Sequence, residues 1–334
     1  MIPLPPRANP LLYGQAEVAA SLAAAARSGR LHHAWLFCGP PGIGKATLAY
    51  RFARWLLAGL PRDVAGHPPL HLEENHPILR RVAAASHADL MVLEPQAEPG
   101  RRRIIKVDEA RQARAFLNFT AAEGGWRVVL IDEVDAMEAA SANTILKTLE
   151  EPPARTVLLL VTSAPGRLLP TIRSRCRRLE MNGLDESTMD GLLAEWLPEL
   201  PRMDRVALAG LAEGSPGRAL DLAAGEGVEL ARLAEAVLSR LPTGEGAHAL
   251  ADRIAGRDAA LAYPAFFTLL LRHLSQAVRD AARGLPSPTW LAARPLASWA
   301  EAAAEVGRLV QEAERLSLDR RQSVLVAMDT LRGR

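Results

Sequence analysis

Residues 38–50, CGPPGIGKATLAY, combine glycines and a lysine at a spacing suited to holding phosphate. Gly39, Gly44 and Lys45 satisfy the pattern G-x-x-x-x-G-K. Glycines let consecutive backbone N–H groups converge on phosphate oxygens, and the N-terminus of a following helix adds partial positive charge. A simple glycine turn is the alternative. The phosphate loop is favoured because the flanking sequence predicts a strand before it and a helix after it.

The residue after the lysine departs from the usual chemistry of such loops. This position normally carries a Ser or Thr hydroxyl that binds Mg²⁺, and here it is Ala46. Thr47 is adjacent, but a helix turns by about 100° per residue, so its hydroxyl is expected to point elsewhere. We therefore expect phosphate binding to survive while magnesium positioning is impaired. Whether ATP binds at all stays open at this point.

Two carboxylates follow a hydrophobic run about ninety residues downstream, in VVLIDEVD. Asp132 is the candidate Mg²⁺ ligand, if nucleotide binds, and Glu133 would orient or deprotonate the attacking water. Acidic residues are common at strand ends, so the pair alone is a weak signal. Combined with the phosphate loop it indicates a nucleotide site.

Four short apolar runs must position these groups. Their richness in Leu and Val without alternation predicts strands covered on both faces, in a mostly parallel sheet with crossover helices. The predicted strands are AWLFCG (34–39), DLMVLEP (89–95), RVVLIDE (127–133) and TVLLLVTS (156–163). A helix is expected over 45–59.

A further helix is predicted between the last two strands. Asp135 is placed to cap it, with Glu138 three residues later in capping-box spacing. Pro152 and Pro153 would end it.

The second half of the chain has a different character, because Ala/Leu helical patterns replace the strand-like runs. With 334 residues, two or three domains are expected. We predict an α/β domain at 1–183, a small helical lid at 184–241 and a helical collar at 242–334. The linker candidate is LPTGEGAH, residues 241–248, which combines Pro, Gly and polar residues.

Composition restricts the functional classes. Forty basic and 38 acidic residues give a net charge of +2, too balanced for strong DNA binding by the chain as a whole. DNA contact is therefore expected to be local or made through partners. Cys38 and Cys176 are far apart, so a disulfide framework is not expected. The proline-rich start and the lack of a long apolar run predict no membrane association and a cytoplasmic protein.

Four motifs in order resemble the clamp-loader branch of the AAA+ ATPases, specifically loader subunits of bacterial DNA polymerase III. They are HHAWLFCGPPGIGK (32–45), SANTILKTLEEPP (141–153), LLPTIRSRC (168–176) and GSPGRALDL (214–222). The resemblance extends loosely from Ala34 to the C-terminal helical region. It implies an AAA+ P-loop domain, a helical lid and a helical collar through which subunits assemble into a pentameric ring.

The resemblance also implies roles for individual residues. Arg175, in Ser-Arg-Cys, corresponds to an arginine finger that acts in trans on a neighbour's ATP, although RSRCRR could instead be a solvated basic patch. Thr162 resembles the sensor that contacts the γ-phosphate, and Ser163 is nearly as good a candidate. The implied nucleotide-binding set is Gly39, Gly42, Gly44, Lys45, Ala46, Thr47, Asp132, Thr162 and Arg218.

Two further departures from the family pattern matter. Motor subunits carry an arginine at the fourth place of Gly-Ser-x-Arg, where this chain has Gly217, with Arg218 one place late. Ser215 can cap and Pro216 can open the helix that starts there.

Many relatives also carry a four-cysteine zinc module that is absent here. Histidines occupy that stretch at positions 67, 71, 76 and 87. Their setting reads as an irregular loop, so no zinc site is expected.

The sequence therefore predicts a clamp-loader subunit that supplies Arg175 as a stator and has weak or absent ATPase activity of its own. Expected partners are gamma/tau-type and delta-type loader subunits, the sliding clamp, and primer-template DNA reached through the complex. The alternative is an active motor subunit, supported by Lys45, Asp132 and Glu133. A helicase or remodelling enzyme working alone would need the magnesium ligand and the sensor arginine, which are missing or displaced.

Overall fold

The computed structural model describes residues 4–96, 103–224, 227–241, 246–256, 262–316 and 318–333. The chain divides into two compact units, Met1–Ala219 and Leu220–Arg334, and each is described by itself. The three-domain division expected from the sequence stays a prediction.

A five-stranded parallel sheet forms the centre of the first unit. Its strands are β1 (Ala34–Cys38), β2 (Leu90–Leu93), β3 (Arg127–Ile131), β4 (Thr156–Thr162) and β5 (Arg177–Glu180). They lie in the order β2-β3-β4-β1-β5, and every neighbouring pair is parallel. The four predicted strands are confirmed with slightly shorter bounds. The sequence did not predict β5, because this edge strand is four residues long and carries two exposed arginines.

Helices cover both faces of the sheet. Those of the first unit are α1 (Ala16–Arg27), α2 (Lys45–Leu57), α3 (Pro77–Ala83), α4 (Val107–Asn118), α5 (Ala139–Glu150), α6 (Pro170–Arg175), α7 (Glu186–Trp196) and α8 (Arg202–Ala212). The next helix, α9 (Pro216–Ala224), runs from the first unit into the second. The α/β arrangement and the helical remainder confirm the predicted fold class.

Alternate residues of β1 enter two different cores. Trp35 and Phe37 pack in the core that contains α1 and α2, whereas Leu36 and Cys38 pack on the other face with residues of α4 and α5. This is the two-fold alternation of a strand buried on both sides. Both cysteines are free. The double burial fixes the end of β1, from which the glycine-rich loop leads into α2.

The helix between β3 and β4 begins later than predicted. A 3₁₀ turn spans Val134–Ala136, and α5 starts at Ala139 with Glu138 as its N-cap residue. Asp135 therefore does not cap α5. Its carboxylate instead accepts a hydrogen bond from Thr162 at the end of β4. The local sequence pattern predicted that the Asp135 carboxylate caps the helix, but a long-range hydrogen bond to Thr162 engages it instead.

The regular elements described in the second unit are helical. They are α10 (Gly227–Arg240), α11 (Ala247–Ile254), α12 (Ala262–Ala282), α13 (Leu296–Leu316) and α14 (Arg320–Arg332). Buried aromatic residues of α12 and α13 contribute to its core, among them Tyr263, Phe266, Phe267 and Trp299. Of the linker predicted at 241–248, residues 242–245 lie outside the described residues. In the part of the chain described, no helix is both long enough and apolar enough to span a membrane.

Candidate nucleotide-binding loop and arginine site

The glycine-rich loop needs its glycines for two different reasons. Gly39, Gly42 and Gly44 have φ angles of +152°, +75° and +93°, a region that favours glycine. A Cβ atom on Gly39 would also lie 2.3 Å from the carbonyl oxygen of Met181, whereas one on Gly44 would meet nothing within 4 Å. The loop is therefore fixed by packing at its start and by backbone conformation at its end.

Lys45 is buried inside this loop and is only 5% exposed. Its ammonium donates to the carbonyl oxygens of Gly39 at 2.9 Å and Pro40 at 2.6 Å, and to Ser163 Oγ at 2.9 Å. Burial lowers the pKa of Lys45 to about 8, and the carboxylates of Asp132 and Asp135 partly oppose this shift. The Lys45 ammonium, which is the group expected to bind phosphate, thus donates to three oxygens of its own chain. Two of these oxygens belong to the loop itself.

Ala46 and Thr47 continue the first turn of α2. Ala46 has a methyl group at the position where such loops normally provide a hydroxyl ligand for Mg²⁺. Thr47 is half-buried one residue further along, on a face of the helix rotated by about 100°.

The two carboxylates after β3 occupy different surroundings. The backbone N–H of Asp132 donates to the Leu93 carbonyl oxygen at 2.9 Å, which places Asp132 beside the end of β2. Burial raises the pKa of Asp132, and the Lys45 charge partly opposes this shift. Glu133 adopts a left-handed conformation with φ of +48°, and its exposed carboxylate lies 3.5 Å from Arg103. Asp132 thus belongs to the lysine site, whereas Glu133 extends toward the surface.

The structure separates the two sensor candidates. Thr162 is fully buried, and its hydroxyl donates to Asp135 Oδ1 at 2.5 Å and accepts from the Ala164 N–H at 3.0 Å. Ser163, rather than Thr162, contacts the Lys45 ammonium. Both residues were candidates from the sequence, because a linear pattern does not show which of two neighbours at a strand end faces the glycine-rich loop.

The segment Ser215–Gly217 packs directly on the glycine-rich loop. Ser215 Oγ donates to the Pro41 carbonyl oxygen at 2.8 Å and accepts from the Arg218 N–H at 3.3 Å, so it caps α9 as predicted. The Gly217 N–H donates to the Gly42 carbonyl oxygen at 3.0 Å. Arg218 follows on the first turn of α9 and is half-buried. The sequence shows that position 217 lacks the arginine, but it does not reveal the contact between Gly217 and Gly42.

These groups meet only part of the requirement for MgATP, the ligand that such a loop implies. The glycines and lysine suited to phosphate are present. Ala46 supplies no oxygen ligand, and Gly217 packs against the loop where the family resemblance implies an arginine. The residues therefore do not fit a complete MgATP hydrolysis site.

Arg175 lies at the end of α6 and is engaged elsewhere. Its guanidinium is 2.8 Å from Glu150 Oε1 and donates to the Thr171 carbonyl oxygen at 3.1 Å. Both of these groups belong to α5 or α6 rather than to the glycine-rich loop.

The histidines of the 67–87 stretch are dispersed. The rings of His67 and His71 stack with centroids 3.9 Å apart, whereas His76 caps α3 and His87 is buried beside Asp89. Within the described ranges, no group of three or more His, Cys, Asp or Glu side chains is placed to hold a metal ion. The absence of a zinc site stays a prediction.

A parallel sheet in this order, with the glycine-rich loop after β1 and an acidic pair after β3, defines an α/β domain of the P-loop class. Residues 14–185 match the family described as DNA polymerase III, delta subunit. The chain belongs to this family.

Individual relatives refine this assignment. The chain is 38% identical to DNA polymerase III subunit delta' of Pseudomonas aeruginosa over 184 residues, which are 55% of this chain and 53% of that protein. It is 35% identical to subunit delta' of Escherichia coli over 228 residues, 67% of this chain and 64% of that one. A tau/gamma subunit of Haemophilus influenzae is 33% identical over 213 residues, 63% and 29% of the two chains. The matches thus span between half and two thirds of the delta' proteins, and the resemblance to loader subunits of DNA polymerase III is confirmed.

Proposed function

We propose that this chain is a delta-prime-like clamp-loader subunit that acts as a stator. It supplies Arg175 to the ATP that is bound by an adjacent motor subunit. The chain itself hydrolyses little or no ATP. The assembled loader opens a sliding clamp and places it on primed DNA in the cytoplasm.

One observation carries this proposal: Ala46 places a methyl group where a phosphate loop normally provides a hydroxyl ligand for Mg²⁺. In a catalytic loop that hydroxyl helps to hold the ion that bridges the β and γ phosphates. At position 217, where the family resemblance implies an arginine, Gly217 instead donates its N–H to the carbonyl oxygen of Gly42. This loop therefore lacks two of the groups on which hydrolysis depends.

Arg175 supports the other half of the proposal. A guanidinium is planar and permanently charged, and it can donate two parallel hydrogen bonds to a phosphoryl group in transfer. Arginine fingers accelerate GTP hydrolysis by roughly 10³- to 10⁵-fold. Arg175 is bonded to α5 and α6 and not to its own phosphate loop, which favours action on a triphosphate in another chain.

The proposed partners follow from the family and from the charge. Relatives named delta' and tau/gamma support a complex with other loader subunits. A net charge of +2 favours contact with primer-template DNA through the assembly rather than by this chain alone.

The test is steady-state phosphate release by a loader reconstituted with Arg175→Ala. We expect turnover to fall at least tenfold, and Arg175→Lys to restore it only in part, because an ammonium lacks the planar fork. The isolated chain at saturating MgATP should release phosphate at a rate close to the buffer blank. Unchanged loader turnover with Arg175→Ala contradicts the stator role.

An active motor subunit is the second candidate, favoured by the electrostatic coupling of Asp132 with Lys45 in one site. Thr47 would then have to replace the missing metal ligand. Lys45→Ala in the reconstituted loader distinguishes the stator hypothesis from the motor hypothesis. The stator predicts unchanged turnover, and the motor predicts its loss.

A further inference from the structure

Arg175 is engaged within its own chain by a carboxylate. The ion pair with Glu150 measures 2.8 Å, and the other terminal nitrogen of the guanidinium donates to Thr171. The Arg175 side chain is 35% exposed and that of Glu150 is 49% exposed. The pair therefore lies at the surface, within reach of a charged group from another molecule.

Buried contacts fix the two backbones that carry the pair. Glu150 ends α5, and the preceding Leu149 is buried, with its carbonyl oxygen 3.0 Å from His33 Nε2. Arg175 ends α6 beside the buried Cys176, and α5 packs against α6. Tertiary packing thus sets the pair, which joins residues far apart in sequence.

We propose that Glu150 is a positioning residue that holds Arg175 in cis and competes for it with the neighbouring subunit's triphosphate. This inference rests on the proposed function, in which Arg175 acts in trans. A carboxylate beside the guanidinium cancels the positive charge that phosphate would feel, and it also repels phosphate. The finger is fully available only when this ion pair opens.

The strength of the competition is limited, because both side chains are partly in water. Exposed ion pairs of this kind change an equilibrium by up to about fivefold. A competing state of that size lowers the apparent affinity of the rival ligand in proportion to its population. Glu150 is therefore a modest, reversible restraint that a highly charged triphosphate can displace.

The first experiment tests the pair in the isolated chain, without any ring. The rate at which phenylglyoxal modifies Arg175, followed by peptide mass spectrometry, should rise about two- to fivefold in Glu150→Gln. Glu151→Gln is the matched control, because it removes the same charge from the exposed C-cap residue of α5, and it should leave the rate unchanged. An unchanged rate in Glu150→Gln, with its unfolding midpoint equal to that of the wild type, overturns the proposal.

The second experiment uses the assembled loader and a non-hydrolysable ATP analogue with Mg²⁺. Glu150→Gln should tighten analogue binding at the adjacent site by up to about fivefold, and this gain should disappear in an Arg175→Ala background. If Arg175→Ala lowers turnover but Glu150→Gln leaves the affinity unchanged or weakened, the holding role alone is wrong. If Arg175→Ala has no effect on turnover, the proposed function itself fails.

Discussion

The backbone N–H of Gly217 donates to the carbonyl oxygen of Gly42 at 3.0 Å, so the first turn of α9 rests on the glycine-rich loop. A Cβ atom on Gly217 would lie 3.0 Å from Gly42 Cα, and one on Gly42 would lie 2.5 Å from Ser215 Oγ. The family resemblance implies that motor subunits carry an arginine at the place of Gly217. The small residue here thus both removes a charge and permits a close backbone contact.

Gly42→Ala should destabilise the protein more than Gly44→Ala. Both glycines have positive φ, and each alanine costs about 1–3 kcal/mol of backbone strain. Only Gly42 also faces close neighbours, which adds about 1–3 kcal/mol of overpacking. Urea unfolding of both variants measures the difference. Equal losses in the free energy of unfolding would show that the contact with α9 contributes nothing.

The burial of Lys45 predicts a pH dependence of stability. Its folded pKa is about 8 and its ordinary value is 10.5, so the unfolded chain binds more protons between these two pH values. The free energy of unfolding therefore rises with pH across this window. Relative to Lys45→Met, the wild type should gain roughly 1–3 kcal/mol between pH 7.5 and 10. A difference that stays flat with pH would rule out a buried, titrating ammonium.

Thr162→Val should destabilise the first unit by about 1.5–3 kcal/mol. The substitution keeps the shape of the side chain but removes the donor to the Asp135 carboxylate. Thr144→Val is the matched control, because Thr144 is only half-buried on α5 and donates to the carbonyl oxygen of Ala140 in its own helix. Its effect should stay within about 0.5 kcal/mol. Thermal and urea unfolding compare the two. Similar values for both variants would contradict the assigned hydrogen bond.

Ala46→Ser tests how much of the missing chemistry one hydroxyl restores. We expect magnesium to strengthen ATP binding by roughly tenfold in this variant and to have little effect in the wild type. Turnover should stay low, because Gly217 still packs on Gly42 and supplies no arginine. Calorimetric titration with and without Mg²⁺, together with phosphate release, measures both quantities. Robust ATP hydrolysis by Ala46→Ser would favour the hypothesis that this chain is a motor subunit.

The glycine-rich loop, its acidic partner and the four main strands could be predicted from the sequence. Each is encoded locally, because glycine spacing, a run of Leu and Val, or a lysine before a helical pattern needs no distant neighbour. The same holds for the missing hydroxyl at Ala46, which is visible in a single letter.

The tertiary structure alone decided which groups meet. It brought Lys45 to Ser163 rather than Thr162, took Asp135 from the helix cap to Thr162, and seated Gly217 on Gly42. It also paired Arg175 with Glu150. Each of these contacts joins separate elements, and its geometry depends on how the sheet and helices pack. A linear pattern contains the residue types but not the distances between them.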